Sequence, residues 1–498
     1  MSRLLAVPLV LAVVASLDAA TTPASRPNHS VAPSAESIKF ARDLFTVLNE
    51  IAEVYVRPVE RADLVRAAVA GLYEVVRQPV PPRLLAEIDQ ASTQLELMSI
   101  LTRAHGNLAA AEELSGNQAL IVSLRAVARA LDPHTMLLPE EESRRARGEL
   151  GVGLVFAPSV GNGPLTIRDV IPGSPAQRAG LRPGDVITEI EGRPVNAASA
   201  AVLRQDFDDA RGAQRFSLTV RRGPSVRTAV LTCEPFDPEW IAGVNRRFDN
   251  TWNWYLDERR RIAYVRFGSL EPGVAYQLRT VLLRLKPEGL SGVILDLRWC
   301  PGGSLQEAAN IARLFVPDGP IAKAQYRNKN ALADPFQPSA DNALADVPLL
   351  ALVSGQTTGG GELIAAALQD NQRAIIFGER TFGKGTIQTI LPNLPIPELQ
   401  LKVTSGSFIR GNGKPLHRFP ESKPSDDWGV RPDPGCEMPL SPELNRKLKE
   451  WYQLHTLRPG SSLEPLPLDD PENDPQRQAA LRKFRQTLGA GGPTSRKP

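Results

Sequence analysis

The sequence predicts a multidomain α/β chain, and three observations carry that reading. Residues 262–267 and 292–297 (Gly-Val-Ile-Leu-Asp-Leu) are near-continuous apolar runs of strand length, the pattern of strands covered on both faces. The second run ends in Arg298-Trp-Cys-Pro-Gly-Gly303 and leads into residues 304–315, where Ala308, Ile311, Ala312 and Phe315 recur at helical spacing. A third buried strand, 348–353, enters a glycine-rich turn and an Ala/Leu helix beginning near Glu362. Strand, glycine turn, helix and strand again describe an α/β core with helical crossovers.

The chain has 498 residues, enough for two or three domains. A hydrophobic content of 42% and a charged content of 23% are ordinary for a globular protein. A net charge of +3 leaves no basic footprint, so no nucleic-acid partner is expected. Three cysteines and five histidines at scattered spacings offer no disulfide framework and no metal ligand set. No metal and no other cofactor is expected.

Residues 1–20 carry one positive charge and then an apolar run, the pattern of a secretory signal peptide cleaved between Ser16 and Ala20. The expectation is a periplasmic or secreted protein with no stable membrane span after cleavage. An uncleaved signal acting as a membrane anchor is the alternative. Residues 21–35 are a Pro/Ser/Thr-rich linker.

A helical region follows over residues 36–145. Leu44, Leu48, Ile51 and Tyr55 mark one helix over 36–56, and Leu64, Ala68, Leu72 and Val75 a second over 63–76. Residues 79–115 are polar and mostly helical, with no assigned place. A further helix over 119–131 ends at Asp132-Pro-His-Thr-Met-Leu-Leu-Pro-Glu-Glu141, where His134 reads as a turn residue.

Over residues 146–236 the pattern changes to short strands and turns. Gly151-Val-Gly-Leu154 opens a strand in which consecutive N–H groups of Val152, Gly153 and Leu154 form a nest suited to a terminal carboxylate. The run Ile171-Pro-Gly-Ser-Pro-Ala-Gln-Arg-Ala-Gly-Leu-Arg-Pro-Gly-Asp185 follows, and residues 197–211 would supply a helical wall. Together these resemble the carboxylate-binding loop and G-S-P-A-x-x-A-G-L-x-x-G-D motif of a PDZ domain. The resemblance implies a groove for polypeptide C-termini.

The core domain is read as residues 237–455, followed by a charged, proline-containing tail over 456–498. Two of its segments resemble the carboxy-terminal processing (tail-specific) proteases, serine peptidase family S41. Thr381-Phe-Gly-Lys-Gly-Thr-Ile-Gln388 matches that family's T-F-G-K-G-S-V-Q. The resemblance makes Lys384 the general base and Gln388 its partner, on a ClpP/crotonase-like core. Arg298 to Gly303 is similar to D-L-R-x-N-P-G-G, which implies oxyanion donors at Gly302 or Gly303 together with Gly360. The usual Asn is here Cys300. Asp132 to Glu141 resembles the D-P-H-S-x-x-L-x-P-E-E that precedes the PDZ domain. Residues 408–415 and 428–433 resemble the family's closing motifs.

Aligned on Glu362, the family's S-A-S-A-S-E turn falls on Thr357-Thr-Gly-Gly-Gly-Glu362 and places the nucleophile at Gly359. Glycine has no hydroxyl to activate, so no acyl-enzyme can form by the usual route. Three consecutive glycines also imply a loose turn. The residues therefore favour a non-catalytic homologue that binds polypeptide C-termini or unfolded proteins through its PDZ domain, as a homo-oligomer or with an active S41 partner. A serine-type endopeptidase with an unorthodox nucleophile, Thr357, Thr358 or Cys300, is the second reading. An envelope scaffold is the third.

Overall fold

A computed structural model describes residues 34–139, 152–156, 165–195, 215–234, 236, 238–247, 251–327, 336, 343–391, 394–457 and 474–489. The expected signal peptide and the helix expected over 197–211 lie outside the described residues.

Five helices form the N-terminal region: α1 (Ala35–Val54), α2 (Arg61–Val75), α3 (Pro82–Gln90), α4 (Gln94–Asn107) and α5 (Gln118–Leu131). The apolar stripe of α1 is buried as its spacing requires, with Leu44 and Leu48 fully enclosed. The stretch 79–115 resolves into α3 and α4. Thr93 caps α4 in a reciprocal capping box with Glu96. This bundle shares its core with Leu391, Leu401 and Val403, so it is bound to the sheet that carries the Lys384 loop.

The short-strand unit is an antiparallel sheet ordered Leu154–Phe156, Leu165–Val170, Val186–Ile190, Arg215–Arg222 and Ser225–Thr232. Arg193–Pro194 pairs at its side, and one helical turn, α6 (Pro175–Arg178), packs beside it. It has its own core, in which Leu218, Val220 and Leu231 are fully buried.

In the core domain the strands Ile262–Phe267, Gly292–Asp296, Leu349–Val353 and Ala374–Gly378 lie parallel in that order. The antiparallel strand Tyr255–Asp257 flanks the first. Every residue of Gly292–Asp296 and of Leu349–Val353 is buried, as near-continuous apolar runs demand. One face is covered by α7 (Val274–Leu285), α8 (Leu305–Phe315) and α9 (Gly360–Asp370). Ile262, Tyr264, Ile294, Leu350 and Leu352 point to the other face.

That second face is closed from an unexpected quarter. Beyond α10 (Pro442–Leu457), the segment read as a charged tail contains α11 (Pro475–Gly489). Its Ala480, Leu481 and Phe484 seal the sheet. Phe484 reaches so close to Gly292 that a Cβ there would lie 2.8 Å from its ring.

A second, antiparallel sheet joins the halves of the molecule. The long strand Leu399–Arg410 pairs with Met136–Pro139, with Thr386–Leu391 and with Ala322–Tyr326.

Candidate active site

The site forms where the parallel strands end. After Leu349–Val353 the chain turns through residues 354–359 into α9. Thr357 holds this turn: its hydroxyl donates to the Leu297 carbonyl at 2.8 Å and accepts the Ser354 N–H at 2.9 Å. The Thr358 N–H donates to the Cys300 carbonyl at 3.1 Å, which fastens the turn to the Arg298–Gly303 loop.

Gly359 stands at φ 53°, ψ −109°, a region closed to most side chains. A sharp strand-to-helix turn of this kind exposes whatever side chain it carries. A Cβ built on Gly359 meets nothing within 4 Å. The position expected for a nucleophile is therefore shaped and open, and no side chain occupies it.

The expected looseness of the three glycines is not what the structure shows. A Cβ on Gly360 would lie 2.8 Å from Leu270 Cδ1, and one on Gly361 would lie 3.2 Å from Thr357 Cγ2 and 3.3 Å from the Cys300 sulfur. Gly360 and Gly361 are thus close-packed positions with no room for a side chain.

Of the expected oxyanion donors, the structure brings Gly302 and Gly360 together. Gly302, at φ 87°, lies so near the turn that a Cβ would stand 3.1 Å from the Gly360 nitrogen. The Gly360 N–H has no acceptor among the described residues. Gly303 instead backs onto Leu270, where a Cβ would be 2.5 Å from the carbonyl oxygen. Cys300 is fully buried in the same loop.

Lys384 and Gln388 meet as the motif implies: the ammonium donates to Gln388 Oε1 at 2.7 Å. Gln388 Nε2 in turn donates to Thr386 Oγ1 at 2.8 Å. Burial, assisted by the positive charge of Lys402, lowers the Lys384 pKa to about 8. A lysine so placed is neutral in a usable fraction near neutral pH, the condition for a general base.

The residue that sequence reasoning placed too simply is Glu362, read only as an acid at a helix N-terminus. It is fully buried. It accepts the Gly359 N–H at 3.0 Å and the Lys384 N–H at 2.7 Å on one oxygen, and the Gly383 N–H at 2.6 Å and Thr381 Oγ1 at 2.5 Å on the other. Burial pushes its pKa up to about 7 against the pull of these donors. The signal available in the sequence was an acid embedded in an otherwise apolar helix, Gly-Gly-Glu-Leu-Ile-Ala-Ala-Ala-Leu.

The alternative nucleophiles are engaged elsewhere. Thr357 is fully buried with its hydroxyl bonded as described, and the Thr358 hydroxyl donates to the Gln356 carbonyl at 3.0 Å. Burial pushes the Cys300 thiol up to about 12, which leaves it unionised and unreactive. His134 is a turn residue: its N–H donates to Asp132 Oδ1 at 2.7 Å.

Behind the oxyanion turn, Arg298 is fully buried between two carboxylates. It pairs with Asp296 Oδ2 at 2.6 Å and with Asp474, the residue before α11, at 3.0 and 2.9 Å. Tyr264 and Tyr452 donate to the same two acids.

In the short-strand unit, Gly153 sits at φ 74° between buried Val152 and Leu154. Its carbonyl accepts the Ile171 N–H, and the Val152 carbonyl accepts the Ala176 N–H, each at 2.9 Å. A Cβ on Gly153 would stand 2.1 Å from Ser174 Cβ. Among the described residues there is no cluster of metal-ligating side chains, and no helix is long and apolar enough to cross a membrane.

The family model for peptidase family S41 matches residues 261–433, and a PDZ-domain model matches residues 166–222. A carboxyl-terminal-processing protease of Synechocystis is 30% identical over 322 residues, 62% of this chain and 69% of that one. The chain belongs to the carboxyl-terminal-processing proteases of family S41.

Another member, the chloroplastic carboxyl-terminal-processing peptidase 2 of Arabidopsis thaliana, is 28% identical over 317 residues, 60% of each chain. Among solved structures, a photosystem II D1 C-terminal processing protease aligns at 21% identity over 81% of this chain and 94% of its own, with a TM-score of 0.42. Within this family of proteases, the present member carries a PDZ domain, and Gly359 stands at the turn into α9.

Proposed function

We propose that this protein binds polypeptide C-termini through its PDZ domain and holds chains in a protease-like cleft without hydrolysing them. One observation carries the reading. The nucleophile turn keeps the strained backbone and open space that a reacting side chain needs, yet Gly359 supplies no oxygen. Lys384, Gln388, Glu362 and the Gly360 N–H support retention of the surrounding scaffold. The Cys at position 300, where the family motif has Asn, supports relaxed demand on the oxyanion hole.

Acyl transfer on this scaffold would need a hydroxyl at residue 359, whose proton passes to neutral Lys384 as the oxygen attacks the peptide carbonyl. The Gly360 N–H would face the developing oxyanion. Digestion of an unstructured polypeptide tests the reading. The expected result is an inert wild type and a cutting Gly359→Ser variant, with activity abolished by adding Lys384→Ala. Cleavage by the wild type that Lys384→Ala abolishes would overturn it and require another nucleophile.

A further inference from the structure

Beside the Lys384 loop lies a cavity of about 830 Å³, which the reading above does not use. It is bounded by the end of α1, by the Leu131–His134 turn, by the strand Leu399–Arg410 and by residues 415–420. We propose that this cavity binds a small amphiphile with an apolar body and a single carboxylate, such as a medium-chain fatty acid.

Size and lining favour that chemistry. The volume lies in the range of small-molecule sites, roughly 300–1,000 Å³. The walls are mainly apolar, with Leu131, Phe408 and Leu416 among the side chains forming them. Phe382 and Phe419, both also lining the cavity, are 50% and 43% exposed. Large aromatic side chains left in solvent beside a cavity mark a surface suited to an apolar guest.

Charge supplies the second half. Arg57 and Arg418 both line the cavity, and neither forms an ion pair among the described residues. Arg418 rests on the Trp428 ring at 4.7 Å, which steadies it without neutralising it. His417 Nδ1 is buried and has no hydrogen-bond partner. Asp132, the one carboxylate among the lining residues, is already engaged by Thr135, Thr404 and the His134 N–H at 2.7, 3.0 and 2.7 Å. Two guanidiniums against the single Asp132 carboxylate leave this cavity net positive, and a carboxylate is its complement.

Gly383 and Thr386, on either side of Lys384 and Gly385, are themselves cavity walls. An occupant would therefore touch the loop that presents the lysine. The inference does not depend on whether the chain hydrolyses peptides.

Displacement of a dansyl-labelled undecanoate from the full chain tests it. Dodecanoate is expected to displace the probe, and its uncharged methyl ester to do so at least tenfold more weakly. Both arginines are exposed, so Arg57→Ala/Arg418→Ala should fold as the wild type by circular dichroism. That variant should bind dodecanoate at least tenfold more weakly, with its affinity for the ester unchanged. No binding of dodecanoate, or equal binding by the double variant, would overturn the proposal. Displacement by a peptide with a free C-terminus but not by dodecanoate would also overturn it and assign the cavity to polypeptide recognition.

Discussion

Glu362 accepts the backbone N–H of Lys384 at 2.7 Å, and the same oxygen accepts that of Gly359 at 3.0 Å. One buried carboxylate thereby ties the turn at Gly359 to the loop that carries Lys384. Four donors converge on it, and a glutamine offers a single acceptor oxygen with an amide that donates back. Each buried donor left unsatisfied costs about 1–3 kcal/mol. Glu362→Gln is expected to lower stability by roughly 3 kcal/mol, read as a fall in the denaturant midpoint. A change under about 0.5 kcal/mol, the level of an ordinary surface substitution, would show that the carboxylate is not the tether.

Lys384 gives the site a pH signature. Burial holds its pKa at about 8, below its ordinary 10.5, so the fold favours the neutral amine. In the Gly359→Ser background, kcat/KM should rise with pH to a midpoint near 8 and level off above it, since only the neutral form accepts the serine proton. The stability term runs the same way. Between the folded and unfolded values the unfolded chain binds the extra proton, so the contribution of Lys384 is present above the unfolded pKa and lost as pH falls through 8. A pH–rate profile with no inflection between 7 and 9 would show that Lys384 is not the base.

The carboxylate-binding role proposed for the Val152–Leu154 turn has its own test. Gly153→Ala would force a side chain onto a φ of 74° and into Ser174, and the Val152–Leu154 turn must shift to relieve it. Binding of a fluorescent peptide with a free C-terminus, followed by polarisation, should fall at least tenfold. Amidation of the peptide terminus should produce a similar loss in the wild type. Retained affinity in both cases would place peptide recognition elsewhere.

Much of this was legible in the sequence, and what was missed has a common cause. The strands 262–267 and 292–297 announced themselves because burial on both faces leaves no polar alternation. The pairing of Lys384 with Gln388 was legible because both sit in one local motif. Glu362 was undervalued because its partners, Thr381, Gly383 and Lys384, approach from another loop. The turn at Gly359 was read as loose from composition, whereas Leu270, Ala308 and Cys300, distant in sequence, pack against its glycines. Helix α11 was lost in a charged tail because its buried face is narrow, with Ala480, Leu481 and Phe484 the apolar side chains that reach the core.

The buried pairing of Arg298 with Asp474 explains why so polar a helix is held in place. Asp474 is 1% exposed and Arg298 fully buried, and the guanidinium beside Asp474 holds its carboxyl well below the usual range, against its burial. Without Asp474, the two buried guanidiniums of Arg298 and Arg477 would share the single carboxylate of Asp296, and an uncompensated buried charge costs about 3–5 kcal/mol. Asp474→Ala is therefore expected to destabilise the chain by that amount in urea. The exposed pair Arg446–Glu450, at 2.9 Å, is the control: Glu450→Ala should change stability by less than about 1 kcal/mol. Because the Arg298 carbonyl accepts the Ser354 hydroxyl, loosening Arg298 also frees the turn that leads to Gly359. Asp474→Ala should then lower the cleavage rate of the Gly359→Ser variant even at temperatures where circular dichroism shows it folded. An unchanged rate would confine the Asp474 contact to stability and leave the positioning of the turn to Thr357 and Glu362.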